Sequence, residues 1–121
     1  MPNWSKIVHF RPDEFGRGEP GVEVSQELLD RLDVARAHAG VPFQITRGLS
    51  THEHNEAVGG VPSSAHVEGY AVDISAPDSS RKFSILSGLI FAGFTRIGVY
   101  KHHIHADVDP HKPHNVIWVG E

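Results

Sequence analysis

The chain contains no cysteine, so no disulfide or thiolate metal site can staple its fold, and no cysteine nucleophile can supply its chemistry. Order must come from apolar burial, and metal binding is open only to histidine and carboxylate side chains. The 121 residues suffice for one compact core and are too few for two, so residues 1–121 are expected to form a single domain. Hydrophobic residues at 39% and charged residues at 21% are ordinary globular values, which gives disorder no compositional support. A net charge of −4 offers no basic surface for phosphate, so nucleic acid is not an expected partner. No apolar run reaches the roughly 20 residues of a spanning helix, so no membrane insertion is expected. Met1 to Lys6 lacks the charged region and apolar stretch of a signal peptide. The expectation is a soluble, monomeric protein made in the cytoplasm.

Residues 1–24 read as irregular, broken by Pro12, Gly16, Gly18, Pro20 and Gly21. Ser25 can cap a helix whose Leu28, Leu29, Leu32, Ala35 and Ala39 share one face, with Gly40 as its stop. Val41 to Thr46 reads as a strand and His52 to Val58 as a short helix closed by Gly59-Gly60. Tyr70 to Ser75 is a second strand. Asp78 or Ser79 can cap a helix from about Ser80 to Ala92, with Phe83, Leu86, Leu89 and Ile90 inward. Thr95 to Tyr100, His103 to Val108 and Val116 to Val119 read as further strands. The fold class is α+β, a small, mostly antiparallel sheet with flanking helices.

Ten histidines are dispersed along the chain. Imidazole is the commonest protein metal ligand and titrates near neutral pH. Two segments place it informatively. In Ser64-Ala65-His66-Val67-Glu68-Gly69-Tyr70-Ala71-Val72-Asp73-Ile74, strand alternation sets Asp73 between the small residues Ala71 and Ser75, which leaves room for an ion. Gly69 permits a tight turn that would bring His66 back over the strand. In Tyr100-Lys101-His102-His103-Ile104-His105-Ala106-Asp107-Val108, the residues His103, His105 and Asp107 share one face while Ile104, Ala106 and Val108 form the core side. Taken singly, each segment is as well explained by a solvated polar surface. Together they can supply two imidazoles, a carboxylate and an open fourth position, the usual ligand set of catalytic zinc.

From Ile45 to Val108, roughly half the chain, these segments resemble the zinc D-alanyl-D-alanine carboxypeptidase and L,D-endopeptidase family of peptidoglycan hydrolases, whose fold is shared with the hedgehog signalling domain. The resemblance rests on Ile45-Thr46-Arg47-Gly48, on His54-Asn55-Glu56-Ala57-Val58-Gly59-Gly60-Val61-Pro62, on Ser64, His66, Gly69, Ala71, Asp73 and Ile74, and on Ile104-His105-x-Asp107-Val108. The His-Asn-x-x-Val-Gly-Gly pattern is similar to that of phage lysins and phage-borne peptidases. The resemblance implies a hedgehog-like fold holding one zinc ion through His66, Asp73 and His105. It also implies cleavage of an amide bond in peptidoglycan stem or cross-link peptides, with action on the wall after release or as part of a phage.

The family often carries an acidic general base three residues before the last ligand, where this chain has His102; the hedgehog-like pattern has a histidine two before it, matched by His103, and a glutamate where this chain has Val99. Strand geometry favours His103 as the base, with His102 and Asp107 as alternatives; Asp107 could equally orient a ligand imidazole. In place of the family's Ser-Gly-Tyr-Arg-Ser this chain reads Arg47-Gly48-Leu49-Ser50-Thr51. Arg47 is then a candidate substrate-carboxylate clamp or a structural ion-pair partner, and Ser64 a candidate oxyanion donor or a turn residue. Trp118 is read as core filler, with a place in the groove wall as the alternative, and His111 and His114 as surface. The competing function is a non-catalytic zinc-containing module that binds a cell-wall peptide or a protein.

Overall fold

The computed structural model describes residues 2–60 and 64–120; Val61 and Pro62 of the glycine-loop motif lie outside the described residues. Helix α1 (Gln26–Ala39) starts where the Ser25 hydroxyl accepts the Leu28 N–H at 3.3 Å and ends at Gly40 in the left-handed region. Strand β1 (Ile45–Arg47) and helix α2 (His52–Ala57) follow. Strand β2 (Ala71–Ser75) leads to helix α3 (Ser79–Phe91), capped by Asp78, whose carboxylate accepts the Arg81 N–H at 2.8 Å. Strands β3 (Arg96–Val99), β4 (His103–Asp107) and β5 (Val116–Val119) complete one five-stranded sheet in the order β1-β2-β4-β3-β5. Every pairing is antiparallel except β3 with β5. The architecture is the expected α+β class.

Helices α1 and α3 pack together and cover one sheet face. Leu28, Leu29, Leu32 and Ala35 meet Ile85 and Leu89, and beneath them lie Val72, Ile74, Ile97, Ile104 and Ala106. Alternation along β2 and β4 sends those apolar side chains to the helices and the polar ones to the opposite face. That opposite face carries the chemistry.

Three expectations need correction. The strand placed at Val41 to Thr46 is only Ile45–Arg47, because Phe43 turns into the core, Pro42 has no N–H to give a ladder, and pairing begins with Ile45 opposite Ile74. In α3, Phe83 and Ile90 face outward at 74% and 54% exposure, while Ile85, Gly88 and Leu89 point inward. The reason is Gly88: α1 approaches so closely that a Cβ there would overlap the Ala35 carbonyl oxygen, and this contact sets the buried face.

Residues 2–24, third, are more ordered than their glycines and prolines suggest. Two 3-10 turns form at Trp4–Lys6 and Pro12–Phe15, and Phe10, Phe15 and Val24 are buried. The Asp33 carboxylate on α1 accepts the Val8 and His9 N–H groups at 2.9 and 2.8 Å. The Leu49 N–H donates to the Phe15 carbonyl at 2.8 Å, and a Cβ at Gly48 would stand 2.7 Å from that same oxygen. The leading segment is thus locked against the loop that follows β1.

Candidate metal centre

The antiparallel register of β2 and β4 sets Asp73 directly opposite His105, Ser75 opposite His103 and Ala71 opposite Asp107. His66 reaches the same place from the turn before β2. That turn is closed by bonds from the Val67 N–H to the Ser64 carbonyl and from the Tyr70 N–H to the Ala65 carbonyl, at 3.1 and 2.9 Å. Gly69 makes it possible: its φ is +81°, and a Cβ would overlap the Glu23 carbonyl oxygen. Ligand atoms of His66, Asp73 and His105 consequently all lie within 4.8 Å of one another, with the two rings edge to face at 5.2 Å.

Each imidazole is anchored through the nitrogen it does not present to the centre. His66 Nδ1 is 3.0 Å from the Gly48 carbonyl oxygen, which can only accept, so this nitrogen carries the proton and Nε2 turns a lone pair toward Asp73 Oδ1 at 3.4 Å. His105 Nε2 donates to Asp107 Oδ2 at 2.6 Å, leaving Nδ1 facing Asp73 Oδ1 at 3.1 Å. Two imidazole lone pairs converging on a carboxylate oxygen repel it unless a positive charge is shared among them. The donor set therefore fits a divalent cation of the zinc type: two imidazoles and one carboxylate.

The ionisation of the cation-free cluster tells the same story. Burial would raise the Asp73 carboxyl, but hydrogen bonds and charge from His105 and His66 overcome it and hold the group far below the usual carboxylate range. Burial would lower His105, but its bonds to Asp107 and Asp73 outweigh this and raise it. Asp107, 1% exposed, is likewise lowered: burial works upward, while His105, the Asp109 N–H and Arg96 work downward more strongly.

A family model for peptidase M15 matches residues 8–109. The chain belongs to the peptidase M15 family. M15 peptidases are zinc-dependent, and the His66, Asp73 and His105 group of this M15 chain could bind a metal. Among curated proteins no match is found.

The other candidate residues of the M15 chain occupy varied positions. His103 is half-buried, its ring stacked on Tyr100 at 4.5 Å and 7°; burial lowers its basicity, Asp73 opposes that, and the charges of His105, His66 and His102 add to the lowering. His102 is exposed, and its carbonyl accepts the Ala76 N–H at 2.8 Å. The Ser64 hydroxyl accepts the His66 N–H at 3.3 Å. Arg47 donates through Nη2 to Asn55 Oδ1 at 2.8 Å and to the Ser50 hydroxyl at 3.3 Å. Asn55 also carries the glycine loop, its carbonyl accepting the Gly60 N–H at 2.8 Å. His111 and His114 are exposed, His114 bonding Thr95 Oγ1 and the Asp109 carbonyl.

Two neighbours of the centre stand apart from the favoured sequence reading. Trp118, expected in the core, stands beside His105 at 5.5 Å between ring centres and donates its Nε1–H to the Tyr100 hydroxyl at 2.8 Å. Gly98 makes the space, since a Cβ there would lie 2.6 Å from the indole. Arg96 carries no motif, yet its Nε lies 2.9 and 3.1 Å from the two Asp107 oxygens. Its place one residue beyond the Ile97–Ala106 pair follows only from strand register, which no spacing in the sequence records.

Proposed function

We propose that residues 1–121 form a single zinc peptidase domain that hydrolyses an amide bond in peptidoglycan stem or cross-link peptides, in the manner of a phage lysin. The observation that carries this reading is the convergence of His66, Asp73 and His105 in a chain of the peptidase M15 family. In this reading His66 Nε2, an Asp73 carboxylate oxygen and His105 Nδ1 hold one zinc ion. Bound zinc supplies the Lewis acidity that makes a water nucleophilic near neutral pH and polarises a scissile amide.

The chain's own groups do the rest. His103 sits on the ligand face of β4, two residues from His105 and opposite Ser75. Its depressed basicity keeps the ring neutral near pH 7, ready to take a proton from the attacking water and return it to the leaving amine. His102, exposed on the turn, is the alternative for that role. Ser64 and Arg47 would meet the substrate from the His66 side. The ties of Arg47 to Asn55 and Ser50 would fix its guanidinium for a substrate carboxylate.

The test has two parts. Metal analysis of the purified protein is expected to give about one zinc per chain, and H105A is expected to lose it. Native protein is expected to release amino groups from purified sacculi, H103A to release at least about 100-fold less, and H102A to stay close to native. A native protein that keeps its zinc yet cleaves no wall chemotype would instead be a binding module. One that takes up no zinc would end the metal reading altogether.

A further inference from the structure

Behind His105 the structure continues inward through two more side chains. Asp107 accepts the His105 Nε2–H at 2.6 Å, and Arg96 Nε stands 2.9 and 3.1 Å from the two Asp107 oxygens. Arg96 is itself fixed from two other directions. Its Nη1 donates to the Pro113 carbonyl at 2.7 Å, and its guanidinium lies over the Trp118 indole at 4.9 Å. Three separate stretches of chain, β3, β4 and the run from Pro113 into β5, therefore meet at one cation.

Burial gives this cation a role beside the Asp109 N–H, which donates to Asp107 Oδ1 at 3.1 Å. Asp107 is 1% exposed, and a carboxylate taken out of water keeps its charge only where a partner compensates it. His105 lies between two carboxylates, Asp73 on Nδ1 and Asp107 on Nε2, and it can present a lone pair at Nδ1 only if its proton stays on Nε2. An Asp107 that is charged and fixed in place enforces that arrangement.

We propose that Arg96 is a positioning residue for the metal centre: by neutralising and aligning Asp107 it fixes the tautomer and ring orientation in which His105 offers Nδ1 to the ion. This rests on the reading of His66, Asp73 and His105 as zinc ligands and is independent of what the protein cleaves. Arg96 touches no reacting atom; it acts on His105 through Asp107, with the Trp118 indole packed between its guanidinium and the His105 ring.

The experiment measures zinc affinity by competition with a chromophoric chelator for native protein, R96Q, R96K and D107N, with far-ultraviolet circular dichroism reporting the fold. Imidazole nitrogen-15 shifts of the metal-free proteins at alkaline pH report which nitrogen of the neutral His105 ring carries the proton. Outer partners of ligand imidazoles are typically worth 10–100-fold in metal affinity, so R96Q and D107N are each expected to bind zinc about 10–100-fold more weakly than native. R96K, which restores charge near Asp107 without the Pro113 bond, is expected to regain most of that loss. The native His105 pattern is expected to show a protonated Nε2, and R96Q a mixture.

A folded R96Q with native affinity and a native His105 pattern would overturn the proposal. So would a D107N that binds zinc as native does, or an R96K no better than R96Q, since either would mean that Arg96 acts only as a strut for Pro113. Should R96Q fail to fold, a D107N with native affinity, or an R96K that binds zinc about 10–100-fold more weakly than native, would overturn the proposal. Native protein that binds zinc but cleaves nothing would remove the peptidase reading and leave this one standing.

Discussion

Substituting Gly69 by alanine tests how His66 is brought to the centre. The residue has φ +81°, and a Cβ would overlap the Glu23 carbonyl oxygen and lie 3.1 Å from the carbonyl carbon behind it. Gly59 provides the comparison, with φ +77° and, among the described residues beyond its chain neighbours, no atom within 4 Å of the place a Cβ would take. An alanine in the left-handed region costs about 1–2 kcal/mol, offset by about 0.4–1 kcal/mol from the stiffer unfolded chain. G59A is therefore expected to lose at most about 1.6 kcal/mol. G69A adds the backbone overlap, at about 1–3 kcal/mol for a forced fit, for a total of roughly 1–4.6 kcal/mol. At about 4 °C per kcal/mol for a domain of this size, the Tm of G69A should fall by roughly 4–18 °C and that of G59A by at most about 6 °C. Thermal unfolding followed by circular dichroism in excess chelator reads this directly. Zinc titration of folded G69A at low temperature should also show weaker binding, because relief of the overlap moves the His66 turn. A G69A protein no less stable than G59A would refute the close approach of this turn to Glu23 and, with it, the account of how His66 is placed.

Other consequences follow from the same structure. Asp73 and Asp107 have folded-state values below the ordinary 3.8, so their contribution to metal-free stability is complete above pH 3.8 and disappears as pH falls through the depressed values. Urea midpoints between pH 2 and 5 should show this acid limb, and D73N should flatten it. Leu32 is fully buried under α3, so L32A should cost about 2–5 kcal/mol in urea unfolding without changing the number of zinc ions bound. Alanine at Gly98 would press on the indole at 2.6 Å; G98A should change Trp118 fluorescence and weaken zinc binding, whereas S87A on the outer helix layer should change neither. Zinc at about 1,000 times its Kd should stabilise the protein by about 4 kcal/mol, seen as a Tm difference between loaded and chelated samples.

The centre is legible in the sequence because strand alternation is strict. Asp73 between Ala71 and Ser75, and His103, His105 and Asp107 opposite Ile104, Ala106 and Val108, follow from period two alone once the strands are placed. Gly69 announces the turn that returns His66. What stays hidden depends on contacts between elements. The inner face of α3 is set by the approach of α1 at Gly88, so Phe83 and Ile90, apolar and suitably spaced for the inner face, lie outside. The Trp118 indole stands beside His105 because β5 joins β3 in parallel at a register that faces Trp118 with Gly98, and the link from Arg96 to Asp107 depends on register in the same way. The aromatic residues before α1 are obscured by neighbouring glycines and prolines, although Phe10 and Phe15 are core residues.

The bond from Leu49 to Phe15 and the clearance at Gly48 bear on how the chain can be shortened. The carbonyl that anchors His66 belongs to Gly48, and Phe15 presses on that glycine from behind. Trimming the first fifteen residues, which look like an expendable lead-in, would unclamp the backbone oxygen that orients one imidazole. Because Phe10 and Phe15 also belong to the core, such a truncation would loosen the fold and the His66 anchor together.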